Sequence, residues 1–351
     1  MRRLLLLTLA LTLASSCKHE EVTPRRAFEA IKCNATGEKK YDLLKEYKTH
    51  VAWSDEFDGP QMGDDPSCFS RAPLCGIQGY NNVSECKNYD PSKLALLNKC
   101  KWWVYSGPNY MPGVPTYNQF GPAYVDVHDG HLTLTSEILH TRTSGIKCTY
   151  ATSEGSECPM ISGAIMTRPV PGKVPGYTFE GGYIEMKARW DTGEHGWPAF
   201  WILPHDEWPR YGEIDIMEAY AKNKNRKMGM TLHGVPIGER TNPPNSNWTH
   251  VQTGPAFWLD TTQDATYGVY WDKGDATRAA ALWYIVNDCV IGKTEYGETI
   301  HSRGNDYKIG VPNEGKLFYM MLNMSMQLND GLTVGPGHEK LIVDYVRYYD
   351  H

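Results

Sequence analysis

The chain has 351 residues, 41 of them acidic and 35 basic, and a formal net charge of −6. That balance argues against nucleic acid as a partner and against a strongly polyanionic substrate in a basic groove, although the local charge of a cleft can oppose the net. The length suits one large domain after a leader, with no internal repeat, heptad or low-complexity tract.

Residues 1–16 read as an export signal: Arg2-Arg3 precede the apolar run Leu4 to Leu13, which Ala14-Ser15-Ser16 follow. A run of about ten residues is too short to span a bilayer as a helix. Cys17 sits where the acylated first residue of a bacterial lipoprotein would, with Leu13 one place further upstream than that pattern usually has it. A lipid on Cys17 would attach the chain to a membrane. Residues 17–50 then form an exported linker, and the protein is expected either on the outer membrane or secreted. Setting Cys17 aside leaves Cys33, Cys68, Cys75, Cys86, Cys100, Cys148, Cys158 and Cys289. This even set, in an exported chain, suits up to four disulfides. No Cys-x-x-Cys occurs, so a structural zinc is not expected.

From residue 51 onward the pattern is that of strands. Tyr124-Val125-Asp126-Val127, His131-Leu132-Thr133-Leu134-Thr135 and Tyr267-Gly268-Val269-Tyr270-Trp271 alternate in character, and 33 Gly and 22 Pro punctuate the chain. No long amphipathic helix follows the leader, so an all-β domain is predicted over 51–351. Trp53, Trp271 and Trp283 read as strand-core residues. Asn-x-Ser/Thr sites occur at Asn34, Asn82, Asn247 and Asn323. Asn323 ends the apolar run Leu317 to Asn323 and is expected to be buried and unglycosylated; a glycan found there by mass spectrometry would overturn that placement.

The segment Tyr211-Gly212-Glu213-Ile214-Asp215-Ile216-Met217-Glu218 places three carboxylates in an apolar run, where each needs a partner or a task. On a helix, positions 213, 215 and 218 would spread over roughly 200°. On a strand, Glu213 and Asp215 share a face while Glu218 has the wrong parity. One surplus residue, a bulge at Ile216-Met217, turns Glu218 back to join them. The two Glu Cα atoms would then lie roughly 13 Å apart along the strand. Side chains leaning together would bring the carboxyls to roughly 5–6 Å, near the separation for retaining glycoside hydrolysis. Asp215 between them would orient Glu213 and spread the titrations of the group. A structural acid cluster is the alternative reading of these residues alone.

Gly212 to Glu218 resembles the signature of glycoside hydrolase family 16 in its bulged Glu-x-Asp-x-x-Glu form. Gly182-Tyr183-Ile184-Glu185 and Trp197-Pro198-Ala199-Phe200-Trp201-Ile202-Leu203-Pro204 are similar to cleft strands of that family. Trp53-Ser54-Asp55-Glu56-Phe57-Asp58-Gly59 resembles the opening strand of its laminarinase-like members, and Asp344-Tyr345-Val346-Arg347-Tyr348-Tyr349 their closing strand. The resemblance implies a β-jelly-roll sandwich of two curved antiparallel sheets with an open concave cleft. It makes Glu213 the nucleophile, Asp215 its helper and Glu218 the acid/base. Four cysteines between 68 and 100 then look like an insertion near 60–100.

For the cleft, the resemblance offers Trp197, Trp201, Trp208, His233 and Asn118 as substrate-binding residues. Trp is also a common core residue and a lone His is often simply packed. Glu56 and Asp344 match positions that hold a structural calcium in relatives, and carboxylates suit that hard cation; catalysis itself is expected to need no cofactor. Gly234 stands where laminarinase-like relatives usually carry Trp, and Met326-Gln327 where many have paired glycines. The expected activity is a retaining endo-β-glucanase on β-1,3- or mixed β-1,3/1,4-glucan. The rivals are hydrolysis or transglycosylation of another polysaccharide, such as an agar- or carrageenan-type galactan, and a glucan-binding protein without turnover. A sulfated galactan would need cleft cations, for which Arg210 is the sequence candidate. The polysaccharide is the expected partner, and a monomer the expected state.

Overall fold

A computed structural model describes residues 48–58, 101–105, 107–108, 118–121, 124–138, 160–169, 176–191, 196–205, 211–219, 227–234, 237, 251–302, 305–312, 315–326 and 338–350. The leader, Cys17, the linker before Lys48 and the cysteine-rich stretch near 60–100 lie outside the described residues. So do Trp208, Arg210 and every cysteine except Cys289, which is disulfide-bonded.

The described residues are all-β: two large sheets pack as a sandwich, and Thr299–Ser302 pairs with Asn305–Lys308 in a separate two-stranded ribbon. The front sheet runs in the order Val251–Thr253, Lys227–Gly234, Glu213–Ala219, Gly196–Pro204, Phe318–Met326, Ala164–Met166, Trp103–Val104, and Ala256–Trp258 also pairs with Lys227–Gly234. The back sheet runs Cys289–Glu295, Ala281–Val286, Ala265–Asp272, Gly182–Asp191, His338–Tyr349, His131–Ile138, Met160–Ser162, Asn118–Phe120, Gly107–Pro108. Val51–Asp55 joins the back sheet beside His338–Tyr349, so the first and last described strands are neighbours. Pairing is antiparallel except between Asn118–Phe120 and Met160–Ser162, which run parallel. Among the described residues no helix is long and apolar enough to cross a membrane.

Strand parity makes the core. Phe200, Ile202, Ile214, Met230, Leu232, Met320 and Leu322 on the front sheet meet Leu134, Ile184, Met186, Val269, Trp271 and Leu341 on the back. Each fully buried side chain of this kind contributes about 1.5–3 kcal/mol. Trp271 lies in this core and its Nε1 donates to the Pro312 carbonyl at 2.7 Å, while Trp53 packs at the rim. Trp283 does not belong to it. It points to the outer face of the back sheet, in a separate cluster with Tyr183, Tyr270 and Tyr349, under the Lys293 ammonium at 4.3 Å. Alternation alone does not say which side of a two-faced sheet is the inside.

Candidate active site

The acid strand Glu213–Ala219 begins directly after Gly212, which has φ +93°. A Cβ there would meet the His233 carbonyl oxygen at 3.1 Å, so glycine sets the entry into the strand. Toward Lys227–Gly234 the pairs are Glu213↔His233, Ile214↔Leu232 and Asp215↔Thr231, and then Glu218↔Gly229. Three residues advance on the acid strand where two advance on its neighbour. On the other edge Phe200↔Met217 is followed by Trp201↔Asp215, which skips Ile216. Both edges place one surplus residue at Ile216-Met217. Ile214, Ile216 and Met217 all turn into the core, and the three acids share the outer face. Measured against His233 and Gly229, the two Glu lie four strand steps apart, about 13 Å.

The neighbours hold these acids individually. Asp215 is buried, and His233 Nε2 lies 2.7 Å from its Oδ2 and 3.9 Å from Glu213 Oε1. Burial pushes the Asp215 carboxyl up to about 8, so at neutral pH it keeps its proton. His233 therefore sits against Glu213 and Asp215, as a partner of Asp215. Trp197 is also buried, and its Nε1 donates to Glu218 Oε1 at 2.9 Å. Trp201, half-buried, donates from Nε1 to Asn323 Oδ1 at 2.8 Å. The Asn323 amide in turn reaches the Trp197 carbonyl at 3.5 Å. Asn323 is thus buried, as its apolar run predicted, and ties together the two tryptophans beside the acids. Sequence reading missed that role; the signal was its parity with Ala199 and Glu218, pairs that only the three-strand register exposes.

Tyr319 was also missed. It lies on the acid face opposite Leu203. Burial pushes its phenol up to about 12, with Arg168 opposing and the Glu213 charge adding to the rise. Asn118 starts a short strand that is second from the far edge of the back sheet. The Gly234 substitution does not touch the acid face. A Cβ at Gly234 would point at Ile309 Cγ1, 2.8 Å away, and Ile309 is core.

The calcium expectation needs correction. Glu56 is gripped by Arg347 through Nε at 2.9 Å and Nη2 at 2.6 Å, a bidentate pair that holds the carboxyl below its ordinary range. Asp344 is paired with Lys187 at 2.6 Å. Fixed cations already neutralise both carboxylates, so this donor set does not fit a divalent ion. Glu213, Asp215 and His233 do bring one donor atom each within 4.8 Å of one another. Two of those atoms are engaged with each other in the His233–Asp215 bond.

Residues 184–278 match the family profile described as the XgeA-like, catalytic GH16 domain. The endo-1,3-1,4-β-glycanase EglC of Rhizobium meliloti (strain 1021) is 26% identical over 273 residues, which cover 74% of this chain and 45% of that protein. The keratan-sulfate endo-1,4-β-galactosidase of Sphingobacterium multivorum is 26% identical over 175 residues, 48% of this chain and 36% of the relative. The chain thus spans less than half the length of these relatives. A structure from work on endo-acting O-glycanases of the human gut microbiota that initiate mucin breakdown superposes with a TM-score of 0.55 at 20% identity, covering 86% of this chain and 90% of the other. That last likeness carries the fold.

Proposed function

We propose that this chain, a glycoside hydrolase of family 16, is a retaining endo-β-glucanase of the bulged subgroup, acting on β-1,3- or mixed β-1,3/1,4-glucan. The observation that carries the chemistry is the register shift on both edges of the acid strand, which turns Glu218 onto the face of Glu213. Glu213 attacks the anomeric carbon while Glu218 protonates the departing glycosidic oxygen. Water, deprotonated by Glu218, then releases the sugar from Glu213. Two carboxylates suffice for this and no cofactor takes part. The Trp197 N–H donates to one oxygen of Glu218 and restricts how that carboxyl can turn. The protonated Asp215 and its His233 partner keep a second full negative charge away from Glu213.

The glucan reading is supported by the 26% identity to EglC across most of this chain. A second reading keeps the machinery and changes the backbone to a galactan, favoured by the same level of identity to the keratan-sulfate galactosidase. Reducing-end release from laminarin, lichenan, agarose, carrageenan and keratan sulfate separates them, with Glu213→Gln as the control. Release from laminarin or lichenan that vanishes in Glu213→Gln supports the first reading. Release from a galactan alone replaces it with the second. Silence from folded protein on all five removes both. We also propose that Cys17 carries a lipid and that the enzyme works at the outer membrane; labelling with a fatty acid, lost in Cys17→Ser, tests this.

A further inference from the structure

The acid face continues sideways from Glu213 in one row. Leu203 lies one step beyond the Ile202↔Ile214 pair, opposite Glu213, and Leu203 pairs with Tyr319 on the next strand. Met321 pairs with Met166, and the Thr167 N–H donates to the Met320 carbonyl at 3.0 Å. The ladder therefore runs past Met166 and sets Arg168 beside Tyr319, with the same parity as Met166. The Arg168 guanidinium carbon lies 5.7 Å from the Tyr319 ring centre. Arg168 is exposed, whereas Tyr319 is 8% exposed. At the same end of these strands Lys316 Nζ stands 4.3 Å from the Tyr211 ring centre, and Leu317 is 49% exposed. Two cations, each on an aromatic face, and an open apolar side chain thus gather at one end of the acid face. The net charge of the chain is −6.

The direction of the substrate follows from the acids. The two carboxylates flank the scissile bond and are spaced along one strand, so a glycan threaded between them runs across the strands. The row from Glu213 to Arg168 crosses three inter-strand gaps, about 14 Å. That is a few sugar rings from the cleaved bond. Aromatic faces stack on sugars, and a guanidinium is the preferred partner of a planar or tetrahedral anion.

We propose that this end of the cleft is a subsite for an anionic substituent, a sulfate or a carboxylate, carried by the glycan a few rings from the cleaved bond. Arg168 is the recognising cation, and Lys316 adds to the local field. The inference rests on the endo-glycanase reading and holds for a glucan or a galactan backbone. It revises the expectation from net charge: the cleft end opposes the sign of the whole.

The test uses the backbone that the enzyme is found to cut, in unsubstituted, lightly sulfated and lightly carboxymethylated forms. The ratio of kcat/KM on a substituted form to that on the plain form is measured for the wild type and three variants: Arg168→Gln, Arg168→Lys and Lys293→Gln. The expected ratio is about tenfold for one of the two anions and declines with added salt. It should collapse toward one in Arg168→Gln, recover partly in Arg168→Lys, and stay as in the wild type in Lys293→Gln, whose cation lies on the back sheet. Whichever anion gives the larger ratio identifies the group. Calorimetry of Glu213→Gln with sulfated and plain laminarin reads the subsite without turnover, so a failed glycanase reading is distinguishable from a failed subsite. A ratio of one or below with both anions, or a preference that survives Arg168→Gln, overturns the proposal.

Discussion

Glu185 on the back sheet and Asp215 on the front sheet are both buried carboxylates on an outer face, and the two are handled in opposite ways. On the back sheet Glu185 is 1% exposed and surrounded by donors: Lys48 Nζ at 2.6 Å and the hydroxyls of Tyr183, Tyr349 and Tyr345 at 2.9, 3.2 and 3.4 Å. On the front sheet Asp215 is 4% exposed, and its hydrogen bond is to His233. A buried acid fully supplied with donors is a structural fastening. A buried acid left short of them keeps its proton, and here it sits between the two glutamates proposed to do the chemistry. Burial alone does not separate a working acid from a fixing one; the count of donors does.

The largest test of that difference is Glu218→Gln. It should lower kcat on the preferred polysaccharide by about 10³-fold or more with an unchanged melting curve, since the position faces out of the core. A tenfold loss or less would move the acid role elsewhere. Glu185→Gln should do the reverse. Urea unfolding should show a loss of about 2–3 kcal/mol, with kcat of the folded protein unchanged, because Lys48 loses its counter-charge and one of the two acceptor oxygens becomes an NH2 that faces other donors. Asp215→Asn sharpens the contrast through pH. Asp215 rises from an ordinary 3.8 to about 8. Between those values the folded chain keeps a proton that the unfolded chain gives up. Its stabilising contribution is thus complete below 3.8 and is lost as pH rises through about 8. The asparagine variant should therefore gain stability over the wild type as pH rises from 4 to 8, by on the order of 1–3 kcal/mol, while its activity falls. A gap that stays level from pH 4 to 8 would mean that Asp215 is already charged in the fold. The smallest expected effect is that of a chelator, which should leave the melting temperature where it was, because Arg347 and Lys187 already neutralise Glu56 and Asp344.

Much of the acid strand was legible in the chain because parity is a local property. Glu213, Asp215 and Glu218 sit within six residues, and one surplus residue was the only way to bring them to a common face. The alternating runs gave the strands for the same reason. What stayed hidden depends on strands far apart in sequence. Asn323 bridges Trp201 and Trp197 only because Phe318–Met326 pairs with Gly196–Pro204 across more than a hundred residues. Arg168 reaches Tyr319 through one strand more. The calcium expectation met the same limit. Glu56 and Asp344 could be read from the sequence, but the cations that hold them could not, since Lys187 comes from a strand in the middle of the chain and Arg347 meets Glu56 through the pairing of the first and last strands.

That pairing of first and last strands has a practical side. Val51–Asp55 lies against His338–Tyr349, and Lys48 and Asp350 are pinned there to Glu185 and His50. Both leads into the domain therefore arrive on the back sheet, on the opposite side from the face that carries the three acids. A cable fixed at either lead, whether a fused reporter, a resin linker or a cell-surface stalk, would hold the enzyme with its working side turned outward.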